Sequence, residues 1–285
     1  MHVPHDADYE QTLADREAGR AEAATHPKEP VAHVEDVDVD GVPARLYLPE
    51  GADLAESVIV HLHGGGFVFN DVEVHDAPSR RLANRTGRAV LSVDYRLAPE
   101  HPYPAAVEDT DRALRWAAER SRRVIGHGDS AGGNLAMVGA LRNPGLVTAL
   151  VLIYPFLDPT SSFASYQATD WTWDRDEAQW YWQQYVDRSA HPAALTHPHV
   201  APLGSPDLGT LPPTLIVTAA HDIARDEGEH LLTRLRAEGV RAVGSRILDV
   251  PHAFWRQPEH ADASDLVMRQ TGAFLDGVAE LSRRR

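Results

Sequence analysis

The stretch Arg123-Val124-Ile125-Gly126-His127-Gly128-Asp129-Ser130-Ala131-Gly132-Gly133-Asn134 decides the fold. Its apolar start, Arg123–Gly126 and on to His127, predicts a short strand, and the residues from Ala131 to 141 predict a helix. Between them Gly128-Asp129-Ser130-Ala131-Gly132 fits G-x-S-x-G. A strand, a sharp turn and a helix are the context that a nucleophile elbow requires. The glycines let the chain turn sharply and keep Ser130 accessible. The free N–H groups at the helix start favour a developing negative charge. The plainer reading is an ordinary Gly-rich strand-to-helix turn.

Outward from this stretch the same grammar repeats. Short apolar runs at Ser57–Leu62, Ala89–Val93, Ala149–Tyr154, Thr214–Ala219 and Gly244–Leu248 end in Gly- or Asp-rich loops. Helical stretches are predicted near 76–86, 104–121, 226–239 and 262–281. Buried strands alternating with helices predict an α/β fold with a mostly parallel sheet flanked by helices. Before the first run, residues 31–48 alternate apolar and polar positions (Val34, Val37, Val39, Leu46, Leu48). They predict an antiparallel hairpin turning at Asp40-Gly41. Residues 8–24, rich in Ala, Glu, Asp and Arg, predict a polar, exposed helix.

Residues 158–200 break the alternation. They carry no strand signal and hold four of the six Trp: Trp171, Trp173, Trp180 and Trp182. A helix through 173–188 would put Ala178, Tyr181, Trp182, Tyr185 and Val186 on one apolar face. Such an insertion in an α/β sheet reads as a cap. The organisation expected is residues 1–30 as an N-terminal helical cap segment, 31–157 with 201–285 as the catalytic domain, and 158–200 as a Trp-rich cap insertion.

Composition narrows the chemistry. The chain has 285 residues, no Cys, 27 Lys+Arg against 42 Asp+Glu, and a formal net charge of −15. Hydrophobic residues at 43% and charged residues at 24% suit a folded protein. Without Cys there are no disulfides, thiolate metal sites or Cys nucleophile. The acidic balance disfavours nonspecific nucleic-acid binding. No apolar stretch approaches the roughly 20 residues of a membrane helix. The first ten residues lack a basic start and an apolar run, so a cytoplasmic location is expected.

A serine nucleophile needs oxyanion donors, a base and an orienting acid. His63-Gly64-Gly65-Gly66 follows the run Ser57–Leu62, and its bare backbone can approach a ligand oxygen. Gly65 and Gly66 are the donor candidates, with the N–H of Ala131 as the third. A flexible loop is the competing reading; a phosphate loop would want a Lys and a helix at once. Asp222 lies just past the run Thr214–Ala219, and His252 past the run ending near Leu248. The order Ser130, Asp222, His252 is the one this fold uses. Asp226 and Glu227 rival Asp222, but they read as first-turn helix residues. His191, His197 and His199 cluster, and His61 lies two residues from His63. No paired-ligand spacing on a helix accompanies them, so neither a metal nor a cofactor is expected.

With these residues in place, the chain resembles the hormone-sensitive-lipase-like, or bacterial family IV, carboxylesterases of the α/β-hydrolase superfamily. The matching text is His63-Gly64-Gly65-Gly66-Phe67 and Asp94-Tyr95-Arg96-Leu97-Ala98-Pro99-Glu100-His101-Pro102-Tyr103-Pro104-Ala105-Ala106. It continues with Gly128 to Asn134, Tyr154-Pro155, Asp222 with Asp226-Glu227-Gly228, and His252-Ala253-Phe254. These matches span about residues 57–255. The resemblance implies Ser130 as nucleophile, His252 as general base and Asp222 as its partner. It also implies an oxyanion hole of Gly65, Gly66 and Ala131. His63 would organise its loop, Arg96 and Asp109 would pair beneath the site, and Asp129 would stand beside the nucleophile outside the triad. Two positions depart from the family: Ile223-Ala224 replaces Pro-Leu after the acid, and Ala253 replaces Gly after the base. Leu135–Val147 is also short for the helix and loop after the elbow.

The function expected is hydrolysis of short- to medium-chain acyl esters through an acyl-enzyme, with a small-molecule ester as partner and no membrane insertion. An amide or N-acetyl hydrolase with the same triad is the alternative, and a receptor-like binding protein on the same scaffold is a third class. Phe67, Tyr166, Trp171 and Trp182 are the expected substrate contacts, with most of the cap rings simply packing the cap. Family members often dimerise through the last strand and helix, which leaves a homodimer open.

Overall fold

The computed structural model describes residues 9–168, 171, 173–187 and 193–283. Strands β1 (His33–Asp38) and β2 (Pro43–Leu48) form the hairpin. Asp40 and Gly41 both have positive φ (53° and 83°), and Val39 and Val42 exchange both backbone hydrogen bonds. That is the two-residue turn whose twist matches paired strands.

After the hairpin come β3 (Val58–Leu62), α2 (Asp76–Thr86), β4 (Ala89–Val93), α3 (Ala105–Arg120), β5 (Val124–Asp129), α4 (Ala131–Arg142) and β6 (Val147–Ile153). A long connection carries α5 (Arg175–Tyr185). Then follow β7 (Thr214–His221), α6 (Arg225–Ala237), β8 (Ala242–Pro251) and α7 (Ala261–Arg283). One eight-stranded sheet results, in the order β1-β2-β4-β3-β5-β6-β7-β8. The β1–β2 and β2–β4 pairs are antiparallel, and every other pair is parallel.

The central strands are buried on both faces, which is why they read as continuous apolar runs. One face carries Leu114 of α3, Leu135 of α4 and Leu231 of α6. The other carries Leu82 of α2 and Val267, Met268 and Leu275 of α7. Several strands extend beyond their apolar runs, β5 and β8 among them. β5 continues to Asp129, because His127 and Gly128 pair with His61 and Leu62 of β3, and Asp129 pairs with Ile153 of β6. β8 spans Ala242–Pro251 rather than Gly244–Leu248, through its ladder with β7. Backbone hydrogen bonds, unlike apolar patterning, do not depend on the side chain.

Among the described residues, 158–200 contain no strand. Helix α5 starts at Asp174, whose side chain accepts the N–H of Glu177 (2.9 Å), and it buries Ala178, Trp182 and Tyr185. Trp180 turns to a separate apolar cluster with Val68 and Ala98. The N-terminal helix α1 (Tyr9–Ala23) is mostly exposed but pinned: Arg16 pairs with Glu100 (2.6 Å) and donates to the carbonyls of Val68 and Ala98. No helix among the described residues is long and apolar enough to cross a membrane.

Candidate active site

Ser130 sits between the end of β5 and the start of α4, with φ 53° and ψ −121°. Such a backbone costs a non-glycine residue about 1–3 kcal/mol and persists only where its surroundings hold it. Here the Ser130 N–H donates to the Ile153 carbonyl (2.9 Å), and the Ser130 carbonyl accepts the N–H groups of Phe156 (3.1 Å) and Asn134 (3.2 Å). Gly132 is required by space: a Cβ there would overlap the Leu62 carbonyl at the end of β3.

The loops after β7 and β8 bring two side chains to Ser130. His252 Nε2 lies 2.9 Å from Ser130 Oγ, and His252 Nδ1 lies 2.7 Å from Asp222 Oδ2. A neutral imidazole that donates Nδ1–H to the carboxylate leaves Nε2 free to accept the Ser130 proton. Asp222 is fully buried. Its Oδ1 accepts the Ala224 N–H (2.9 Å) and the Trp173 indole N–H (3.1 Å). The Trp173 and Tyr154 rings flank the His252 ring, at 4.4 and 4.7 Å between centroids.

The rival acids are engaged elsewhere. Glu227 accepts the N–H groups of Leu157 (2.9 Å) and Asp158 (2.7 Å), and burial pushes its carboxyl well above the usual range. Asp226 accepts the Ser165 N–H (2.9 Å). Both acids thus shape the loop after β6.

Gly65 and Gly66 line a cavity of about 150 Å³ together with Ser130 and His252. Gly66 has φ 61°, and a Cβ there would overlap the Tyr181 ring. Among the described residues, the N–H groups of Gly65, Gly66 and Ala131 have no hydrogen-bond acceptor. Asp129 tethers this loop by accepting the Gly64 N–H (2.8 Å), and burial pushes its carboxyl up to about 6. His63 is buried and stacked on Tyr95, whose hydroxyl donates to the His63 carbonyl (2.7 Å). Arg96 grips Asp109 through Nε and Nη2, each at 2.8 Å.

The expected substrate contacts need correction. None of Phe67, Tyr166, Trp171 and Trp182 is among the described residues of the cavity wall. Phe67 and Trp182 are fully buried in the core, where Phe67 stacks on Tyr185 at 3.8 Å. The Tyr166 hydroxyl donates to Glu227 (3.3 Å). Trp171 stacks against His221 and Arg225. The wall is instead built from Phe156, Trp173, Glu177, Tyr181, Arg256 and Asn70. Trp173 stood among the aromatic residues weighed in the sequence, whereas Glu177, Arg256 and Asn70 carried no signal there.

The His191 side of the expected histidine cluster lies outside the described residues, and His199 stands within hydrogen-bond reach of Arg142 (3.2 Å). A different group, His61, His75 and Asp129, has ligand atoms within 4.8 Å of one another behind the elbow. Its histidines already bond to each other: His61 Nε2 lies 3.2 Å from His75 Nδ1, and His61 Nδ1 lies 2.9 Å from His127 Nδ1.

The sheet order, the elbow and the loops that carry His252 and Asp222 define a class, and comparison with known proteins gives its family. A family profile described as alpha/beta hydrolase fold matches residues 59–256. A carboxylic ester hydrolase of Mycobacterium tuberculosis is 38% identical over 251 residues, which cover 79% of this chain and 65% of that protein. An arylesterase of Saccharolobus solfataricus is 33% identical over 268 residues, covering 88% and 86%. The structure of a hyperthermophilic esterase from Pyrobaculum calidifontis superposes with a TM-score of 0.85 at 35% identity, covering 98% and 94%. The chain belongs to the α/β-hydrolase family, in its hormone-sensitive-lipase-like esterase branch. It is an ester-cleaving hydrolase.

Proposed function

We propose that the protein is a serine carboxylesterase that hydrolyses short acyl esters through an acyl-enzyme on Ser130. The observation that carries this reading is the relay in which His252 bridges Asp222 (2.7 Å) and Ser130 (2.9 Å) at the cavity wall. His252 takes the Ser130 proton as Oγ attacks the ester carbonyl. The N–H groups of Gly65, Gly66 and Ala131 receive the oxyanion; one such donor contributes about 3–4 kcal/mol. His252 then protonates the leaving alcohol. Water attacks the acyl-enzyme with His252 again as base, releasing the acid and restoring Ser130. Asp222 keeps the imidazole in the reactive tautomer and stabilises its cation.

The cavity of about 150 Å³ supports a short acyl preference, since a void of roughly that volume takes a benzene-sized group. Residues 158–200 are read as a cap, supported by Trp173, Glu177 and Tyr181 on the cavity wall. Residues 1–30 are read as its N-terminal part, and 31–157 with 201–285 as the catalytic domain. A homodimer formed through β8 and α7 and a cytoplasmic location complete the reading.

Hydrolysis of 4-nitrophenyl esters from acetate to dodecanoate, by the native protein and by Ser130→Ala, tests the proposal. We expect turnover highest at two to six carbons, in line with a void of about benzene size, and abolished in the variant. Native rates no higher than those of the variant would refute it. An amide of the same acyl group, run in parallel, reports whether the leaving group must be an alcohol.

A further inference from the structure

Arg256 stands out on the active-site wall. It follows the base by four residues, is half-buried, and lines the cavity that holds Ser130 and His252. It also lines a neighbouring cavity of about 110 Å³ beneath α1, together with Asn70 and Tyr181. Among the described residues its guanidinium has neither a hydrogen bond nor an ion pair. Other arginines near buried ground are engaged: Arg16 with Glu100, Arg45 with Asp36, and Arg85 with Glu29 and Asp265. Its positive charge acts on the nearby Asp129 carboxyl, opposing the effect of burial there, but among the described residues no hydrogen bond ties the two, so the guanidinium keeps its donors for an anion supplied from outside.

The acids on the same wall are committed to other groups. Glu177 accepts the Tyr181 hydroxyl (3.2 Å). Asp129 accepts the Gly64 N–H (2.8 Å) and faces the Tyr154 hydroxyl (3.4 Å). Beside Arg256, Gln257 leaves its buried side-chain oxygen without a partner. Among the described residues no hydrogen bond holds this amide, so it can turn its N–H toward an anion held by Arg256.

We propose that Arg256 is the anion-recognition residue of this active site, and that the protein favours esters bearing a carboxylate a few bonds from the scissile carbonyl. The inference rests on the esterase reading and names the substrate class within it. The chain's net charge of −15 repels anions at long range, so discrimination falls to this local cation. The bidentate guanidinium suits a carboxylate better than a point charge would.

The test compares matched ester pairs. On the acyl side the pair is 4-nitrophenyl hemisuccinate against 4-nitrophenyl butyrate; on the alcohol side it is butyryl glycolate against ethyl butyrate. The readout is the ratio of kcat/KM for the anionic over the neutral ester within each protein. We expect Arg256→Gln to lower that ratio about 10- to 100-fold in one of the two pairs, and Arg256→Lys to restore part of it. The pair that responds identifies the side of the ester that faces Arg256. Equal ratios in wild type and Arg256→Gln for both pairs would overturn the proposal. If the wild type cleaves none of the four esters, the esterase reading fails by itself. The anion site is then decided by calorimetry of succinate with Ser130→Ala. At least tenfold weaker binding after Arg256→Gln upholds it, and unchanged or absent binding overturns it.

Discussion

Around Asp222, single side chains do separable work. Its Oδ2 faces His252, while its Oδ1 is held by the Ala224 N–H and the Trp173 indole. Trp173 also lies against the His252 ring and lines the cavity. It therefore holds the proposed acid, backs the proposed base and bounds the cavity. Replacing Trp173 by Phe keeps the ring and removes the N–H. A hydrogen bond to a charged group contributes ~1.5–3 kcal/mol, so we expect kcat to fall about tenfold, with KM changed much less. Steady-state kinetics on a short ester checks this. An unchanged kcat would mean that Ala224 and the loop backbone alone position Asp222. At this scale the sequence was legible where the signal is local: G-x-S-x-G pointed to Ser130, and a place on the loop before the helix put Asp222 ahead of Asp226 and Glu227, which open α6. The Trp173 contact joins residues 49 positions apart, and no local pattern encodes such a meeting.

Among the elements of the described residues, β8 ends the sheet and pairs only with β7. An edge strand of ten residues presents unpaired backbone groups to any second chain. Its outward apolar residues are unusually bare: Val243 is 51% exposed and Leu248 68%, with Leu266 of the neighbouring α7 at 61%. This face carries the proposed homodimer. Leu248→Lys sets like charges against each other across a two-fold contact, and we expect it to convert a dimer to monomers. Light scattering at tens of micromolar protein measures this, and a wild type that is already monomeric there would remove the assembly from the proposal. Most elements were readable from alternation and runs, β4 and α2 to the residue. The ends of β5 and β8 were not, because ladder pairing carries them past their apolar residues.

Across the whole molecule, the charges withdrawn from water set the response to acid. Burial holds the imidazoles of His61 and His75 well below the ordinary range, His63 at about 4 and His127 at about 3. The unfolded chain protonates these groups near pH 6.5, while the folded chain refuses the proton until far lower pH. Their stabilisation is thus complete above the unfolded value and is lost as pH falls below it. Burial raises the carboxyls of Asp94, Asp129 and Glu227, which act in the opposite sense over the same interval. The four histidines outnumber these three carboxyls. We therefore expect the melting temperature to fall steadily from about pH 6.5 to about pH 4.5. Thermal unfolding followed by circular dichroism decides it, and a melting temperature that is flat or rising on acidification would contradict the balance.

By itself the sequence determined the α/β alternation, the hairpin turn at Asp40-Gly41, the strand-to-helix turn at Ser130, the Gly65-Gly66 loop and the chain order of Ser130, Asp222 and His252. Each is a local matter of backbone conformation or of a motif at a strand end. Tertiary structure alone decided which side chains face the reacting centre. Phe67 and Trp182 turned into the core, whereas Trp173, Tyr181 and Arg256 came to the cavity. The physical reason is that aromatic rings and arginines carry no intrinsic address. Their surroundings follow from how α5 packs over the elbow and from where the loop after β8 returns, and both depend on contacts between segments far apart in the chain.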